Sequence, residues 1–241
     1  MRFDVLTLFP AMFEGPLDES ILKRAQTAGL IEVAIHQLRD WATDKHHTVD
    51  DTAFGGGPGM VMKPEPLFAA VEDIQPLAQP PAHVVLLTPQ GRTLDAPLVR
   101  ELATYDRLLL VCGRYEGVDE RVREHIVDRE VSIGDIVVTG GELPALLLLD
   151  AVSRQIPGVL GAADALAEES FDDNLLEYPQ YTRPADFREW SVPDVLRSGN
   201  HAEVDRWRRR QRILRTSRRR PDLFAVADLT EEDRAWLKAQ E

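Results

Sequence analysis

The sequence predicts an α/β protein, a mostly parallel sheet followed by a small C-terminal helical domain. Three observations carry this. Strand-like apolar runs alternate with helical stretches up to about residue 156, the order that builds parallel sheets. Three of those runs end in glycine-containing loops, where the ligands of such sheets bind. From about residue 176 the strand pattern stops and the chain becomes helical and basic.

In chain order, residues 2–8 (RFDVLTL) and 31–36 (IEVAIH) predict strands, with a helix between them over about 17–28. Residues 40–62 form a polar, glycine-rich connection too long for a routine loop, and such loops are usually functional or disordered. A helix follows from Pro64 toward Ile74. The three apolar runs are VVLLTPQG (84–91), RLLLVCGRYEG (107–117) and VSIGDIVVTGGE (131–142). The first two lead into helices. The third opens onto Leu143–Ile156, apolar on nearly all sides and therefore expected to be buried. Residues 158–175 read as a flexible acidic linker. Beyond it, Asn200 with Glu203 has the spacing of a capping box, and Thr230 with Asp233 suggests a cap for a last short helix. Val204, Trp207, Gln211 and Leu214 trace a packing stripe on the intervening helix, with the arginines on its other faces.

Composition narrows the function. With 241 residues and 44% apolar content the chain can build a real core, and no repeat or low-complexity block interrupts it. No apolar stretch is long enough for a transmembrane helix, and the N-terminus lacks the layout of a signal peptide, so a soluble cytoplasmic protein is expected. Cys112, the one cysteine, sits in an apolar run and reads as a buried thiol rather than a nucleophile. The net charge of −13 argues at first against nucleic acid. Its distribution argues otherwise. Residues 197–220 hold ten arginines against Glu203 and Asp205, a local charge of +8, which leaves −21 for the remainder. An acidic body with one basic arm can still bind a polyanion, although a solvated basic helix face has the same composition.

Neither a phosphate loop of the G-x-x-x-x-G-K-[ST] type nor an ordered G-x-G-x-x-G is present, and His46-His47 lacks zinc-ligand spacing. The motifs that are present occur in a fixed order: FGGGPGMVM (54–62), LTPQGR (87–92), VCGRYEGVDERV (111–122), EVSIGDIVVTGGELPA (130–145), SRQIPGVLG (153–161), YTRP (181–184) and SGNHAEVDRWR (198–208). Together they closely resemble the bacterial tRNA (guanine-N1)-methyltransferases of the SPOUT superfamily, from Phe9-Pro10 to about Pro221.

The resemblance implies a deep trefoil knot in the sheet and S-adenosylmethionine as methyl donor. It implies a SPOUT domain over 1–160, a linker over 161–175 and a helical tRNA-binding domain over 176–241. The donor would be walled by Leu87, Thr88, Pro89, Gly113, Tyr115, Glu116, Ile133, Gly134, Ile136, Val138, Gly140, Gly141 and Pro144. Glycine there lets main-chain groups approach an adenine closely. The implied reaction methylates N1 of the guanine 3′ of the anticodon, position 37 of tRNA. N1 carries a proton in neutral guanine, so the reaction needs a base near N1 and a cation near O6. Arg154 matches the family's arginine. The family's aspartate, in a D-S-F motif, is replaced by Glu169 in Glu168-Glu169-Ser170-Phe171. Glutamate adds a methylene, on the order of 1.5 Å of reach, and a misplacement of about 1 Å can cost about a hundredfold in rate. Glu168 and Asp172 are alternative bases, and an impaired enzyme is a third reading.

Asp50, Gly55, Gly56 and Gly57 match positions that contact the target guanine and its neighbour, and Arg183, Ser198, Asn200 and His201 match tRNA-gripping positions. The family acts as a homodimer with the site at the subunit interface, and Mg²⁺ assists it, although no metal cage is legible here. The alternatives are a SPOUT methyltransferase for another RNA site, a non-catalytic RNA-binding protein of this fold, and a protein that only senses the donor.

Overall fold

The computed structural model of the chain describes residues 1–161 and 169–239. The chain divides into two compact units, Met1–Ala163 and Asp164–Glu241. The first is built on a five-stranded sheet in the order β2-β1-β6-β5-β7, with every pairing parallel. Its strands are β1 (Arg2–Thr7), β2 (Glu32–Gln37), β5 (His83–Thr93), β6 (Arg107–Cys112) and β7 (Arg129–Ser132). A two-stranded hairpin, β3 (Asp50–Thr52) and β4 (Met60–Met62), occupies the end of the long polar connection.

Side chains alternate across the sheet with period two. On β6, Leu108, Leu110 and Cys112 join one core, with Phe3 and Val5 of β1 and Val85 and Leu87 of β5. Leu109 and Val111 join the core on the opposite face, with Leu6, Val84 and Leu86. Two helices, α3 (Ala96–Leu102) and α5 (Glu142–Ser153), cover the first face together with α1 (Ser20–Thr27). The second is covered by α2 (Pro64–Ile74) and α4 (Glu120–His125). Burial on both faces explains why β6 reads as an unbroken apolar run.

A polar cluster closes the N-terminal end of the sheet. Arg107, the first residue of β6, is buried and donates from Nε to Asp4 at 2.8 Å. Three more of its guanidinium hydrogens go to the carbonyls of Ile74 (2.7 Å), Gln75 (2.8 Å) and Ala78 (2.6 Å), at and just beyond the end of α2. Arg2 and His36 also bond Asp4. Burial by itself would raise the Asp4 pKa, but the bonds from His36, Arg2 and Arg107 outweigh it and hold the carboxyl well below its usual range.

The second unit contains a short hairpin, β8 (Asp186–Phe187) and β9 (Trp190–Ser191), and the helices α6 (Asp194–Arg197), α7 (His201–Arg219), α8 (Pro221–Phe224) and α9 (Glu231–Lys238). Its small core gathers Leu175, Ile213 and Leu229, with Phe224, Trp236 and Leu237 against them. Asn200 caps α7 by accepting from the Glu203 N–H, and Thr230 with Asp233 forms a reciprocal capping box on α9.

Several expectations are corrected. The first helix is shorter, Ser20–Thr27, and follows a separate 3₁₀ turn at Pro16–Asp18. β5 does not stop before its glycine loop but runs on to Thr93, with a register shift between Leu87 and Arg92 against β7. The third apolar run is not one strand, since only Arg129–Ser132 is extended in the ladder and 133–139 is irregular. The buried residues of α7 are Arg212, Ile213 and Thr216, not the stripe through Val204, Trp207, Gln211 and Leu214. A polarity pattern misassigns this face because an arginine can bury its stem while its head stays paired. Arg212 does so, its side chain buried and its head 3.9 Å from Asp173. Among the described residues, no helix is long and apolar enough to cross a membrane.

Candidate active site

At the carboxyl ends of β5, β6 and β7 lies a cavity of about 380 Å³, within the range that accommodates a small-molecule ligand. Three loops wall it. The bend of β5 supplies Leu87, Thr88, Pro89 and Gln90. The turn after β6 supplies Gly113, Arg114, Tyr115, Glu116, Gly117 and Val118. The segment from β7 to α5 supplies Ile133, Ile136, Val137, Val138, Thr139, Gly140, Gly141 and Pro144. Every residue expected at the donor site lines this cavity except Gly134. That glycine instead forms a tight turn with Ser132, whose Oγ donates to its carbonyl at 2.9 Å and accepts from its N–H.

The walls are drawn together by close backbone approaches. A methyl group on Gly141 would lie 2.7 Å from Cys112 Cα, and one on Gly113 would press on the Leu87 carbonyl at 3.2 Å. The Gly141 N–H donates to the Gly113 carbonyl at 2.8 Å, and Arg114 bridges Gly140 in antiparallel fashion. Only glycine allows main chain to stack on main chain this tightly, which accounts for the paired glycines at 140–141. The lip is apolar and open to solvent, with Ile136 57% and Val137 82% exposed.

Beneath the cavity runs a buried polar network that sequence reasoning missed. Glu142 is fully buried in the first turn of α5, where the helix N-terminus favours a negative charge. It accepts from Arg114 Nε at 2.8 Å and from Thr7 Oγ1 at 2.8 Å. Arg114 also donates to the Thr139 carbonyl at 3.1 Å and stacks over Phe9, 4.4 Å from the ring centroid. The network pins the 133–141 segment to β1 and β6. Its signal was a lone acid, Glu142, between two glycines and an apolar helix. The Cys112 thiol is buried beside it, and burial, reinforced by Glu142, pushes its pKa well up, so it stays a neutral thiol.

The family model described as tRNA (Guanine-1)-methyltransferase TrmD matches residues 1–226. The chain belongs to this family. Among curated proteins it is 59% identical to the tRNA (guanine-N(1)-)-methyltransferase of Chloroflexus aggregans (strain MD-66 / DSM 9485), over 98% of this chain and 94% of that protein. It is 58% identical to the protein of that name from Geotalea uraniireducens (strain Rf4), over 99% and 96%. It is 56% identical to one from Dehalococcoides mccartyi (strain ATCC BAA-2100 / JCM 16839 / KCTC 5957 / BAV1), over 97% and 94%.

The other family-matched positions fall as follows. Arg154 is the half-buried residue closing α5, its N–H bonded to the Asp150 carbonyl at 3.1 Å. Asp50 opens β3 opposite Met62, and Gly55, Gly56 and Gly57 follow it with positive φ in an exposed turn. In the second unit, Glu169 is half-buried, Arg183 is exposed ahead of Pro184, and Ser198, Asn200 and His201 are exposed around the start of α7. Glu168, the rest of 162–168 in the expected linker and the side chain of Asp172 lie outside the described residues. Among the described residues, no group of three His, Cys, Asp or Glu side chains has an arrangement that holds a metal ion.

Proposed function

We propose that the chain is an S-adenosylmethionine-dependent methyltransferase that modifies N1 of the guanine 3′ of the anticodon in tRNA, in the cytoplasm. The observation that carries this is the glycine-walled cavity at the strand ends, formed from the family's own motifs. Its chemistry fits the donor. Main-chain groups at 87–89, 113 and 140–141 come close enough to read an adenine edge, the lip at 136–138 offers an apolar bed, and Glu116 offers a carboxylate for the cationic or polar parts. Bound there, the donor supplies an electrophilic methyl group.

The chain's own residues do the rest. Glu169 accepts the N1 proton and so frees the N1 lone pair, which would receive the donor's methyl group while the electron pair of the broken S–CH3 bond stays on the departing thioether sulfur. Arg154 stabilises the charge that builds on O6. Asp50 accepts from guanine N–H groups, and the glycine turn at 55–57 admits a base lifted from its stack. Arg183, Ser198, Asn200, His201 and the arginines of α7 hold the tRNA in a C-terminal helical domain, whose core takes in Leu175 at the end of the expected 161–175 linker, and the SPOUT domain spans 1–160. The trefoil knot of that domain is carried over from the resemblance to the family. A homodimer is supported by the open apolar face of α5, where Leu143 is 57% and Leu147 50% exposed. Among the described residues no group of His, Cys, Asp and Glu side chains is placed to hold Mg²⁺, and no step is assigned to that ion.

The test is incubation with labelled donor and tRNA transcripts carrying G or A at position 37. Label on the G transcript alone is the expected result. Label on both or on neither overturns the assignment, and intact tRNA binding without transfer would identify a non-catalytic RNA-binding protein.

A further inference from the structure

Two arginines of α4 are placed in opposite ways. Arg121 stays at the surface, paired with Asp119 at 2.8 Å. Arg123 turns inward, is mostly buried, and lines the donor cavity beside Gln90 and Glu120. Its Nη2 donates to Glu130 of β7 at 2.5 Å. Its Nη1 donates to Glu120 at 3.2 Å and to the side-chain oxygen of Gln90 at 2.7 Å. Gln90 belongs to the bend of β5, beside Gly91, whose missing side chain lets that bend lie on the Glu130–Val131 backbone. The bend therefore fixes the Gln90 main chain, and Arg123 fixes its side chain.

We propose that Arg123 is a positioning residue for the methyl donor, one that turns the Gln90 amide so that its N–H groups serve the cavity. The proposal rests on the reading above of that cavity as the S-adenosylmethionine site. The chemistry of the pair supplies the reason. A guanidinium carries hydrogen-bond donors and no acceptor. An amide beside it must therefore offer its oxygen, which leaves the amide nitrogen on the other side. Among the described residues the Gln90 Nε2 donates to nothing, although Gln90 lines the cavity. Its hydrogens remain for an acceptor on the ligand, and an adenosyl amino acid presents several: ribose hydroxyls, adenine ring nitrogens and a carboxylate. Without Arg123 the amide is free to flip and to offer its oxygen instead. Glu120 and Glu130 share the guanidinium charge, so Arg123 acts on the ligand through Gln90 rather than as a bare cation.

The test measures by calorimetry the Kd of S-adenosylhomocysteine, a nucleoside that matches the donor but carries no methyl group to transfer. Gln90 is exposed, so its replacement leaves the fold intact. Gln90→Glu keeps an oxygen for Arg123 and gives up the N–H groups. Gln90→Met keeps the length and gives up both. A Gln90 that only braced Arg123 would lose nothing in Gln90→Glu. Both substitutions are instead expected to raise the Kd about fivefold or more. Arg123→Met frees the amide and is expected to raise it about threefold, yet in the Gln90→Met background it adds no further loss. An equal loss from Arg123→Met in both backgrounds would mean general damage to the wall and overturns the inference. A wild-type protein that binds the nucleoside while Gln90→Glu binds it equally well overturns the inference alone. A wild-type protein that does not bind the nucleoside overturns the reading of the cavity beneath it as well.

Discussion

Glu169 stands where the family pattern carries an aspartate, and its proposed task needs a carboxylate rather than a particular side-chain length. Glu169→Gln keeps the shape and removes the proton acceptor. Methyl transfer is expected to fall by about 10²–10⁴-fold, while nucleoside affinity, measured by calorimetry, stays within about twofold because Gln keeps the side chain's shape and removes only the proton acceptor. Activity retained in Glu169→Gln moves the base to a neighbouring acid. Asp4 makes a separate point about single residues. Its folded pKa lies below that of the unfolded chain, so the stability it contributes is fully present above about pH 4 and is lost as pH falls through the folded value. Asp4→Asn strips the buried Arg107 of its counter-charge and is expected to destabilise the protein by about 3–5 kcal/mol. That loss is read from the urea midpoint at pH 7, and a loss under about 1 kcal/mol would refute it. The lining of the strand-end cavity, Gly134 excepted, was legible in the sequence, because glycines announce the close approaches they permit. Glu142 and Arg107 were not, because composition alone does not distinguish a buried, paired charge from a solvated one.

At the scale of elements, strands β1, β2 and β6 and helices α2 and α5 could be read directly from period and apolar length. The misreadings share a cause. β5 runs through its own loop and 133–139 leaves the ladder early because both segments are shaped by the backbones pressed against Gly91 and Gly141, contacts between positions far apart in sequence. On α7, the packing face follows Ile213 and Thr216, which meet the small core around Leu175 and Leu229, while Arg212 buries its stem there with its head toward Asp173. Ile213 is fully buried in that core. Ile213→Ala is expected to destabilise the second unit by about 2–4 kcal/mol and leave nucleoside binding by the first unit within about twofold. Differential hydrogen exchange locates the loss, and faster exchange spread equally over β5 and β6 would contradict it.

The scale of the whole molecule is where net charge misleads. A chain at −13 should repel a polyanion, yet its ten arginines between 197 and 220 lie on and beside one helix of the second unit. A phosphate against that helix responds chiefly to charges within about 10 Å, the screening distance at moderate salt, and only weakly to charges beyond it. Binding should therefore behave as local counterion release from RNA, with log K falling linearly as log salt rises. The remaining acidic surface adds a weaker long-range repulsion that salt also screens, so the slope is shallower than a count of arginines alone implies. Arg218 and Arg219 are exposed on the last turn of α7, which makes them the arginines to remove without disturbing the core. Replacing both by glutamine should flatten the slope by about 1 to 2 units and weaken binding similarly for transcripts with G or A at position 37, since phosphate contacts carry no base information. A slope unchanged by the double replacement would place the electrostatic footprint elsewhere on the chain. A loss confined to the G transcript would mean that these arginines read the base rather than the backbone.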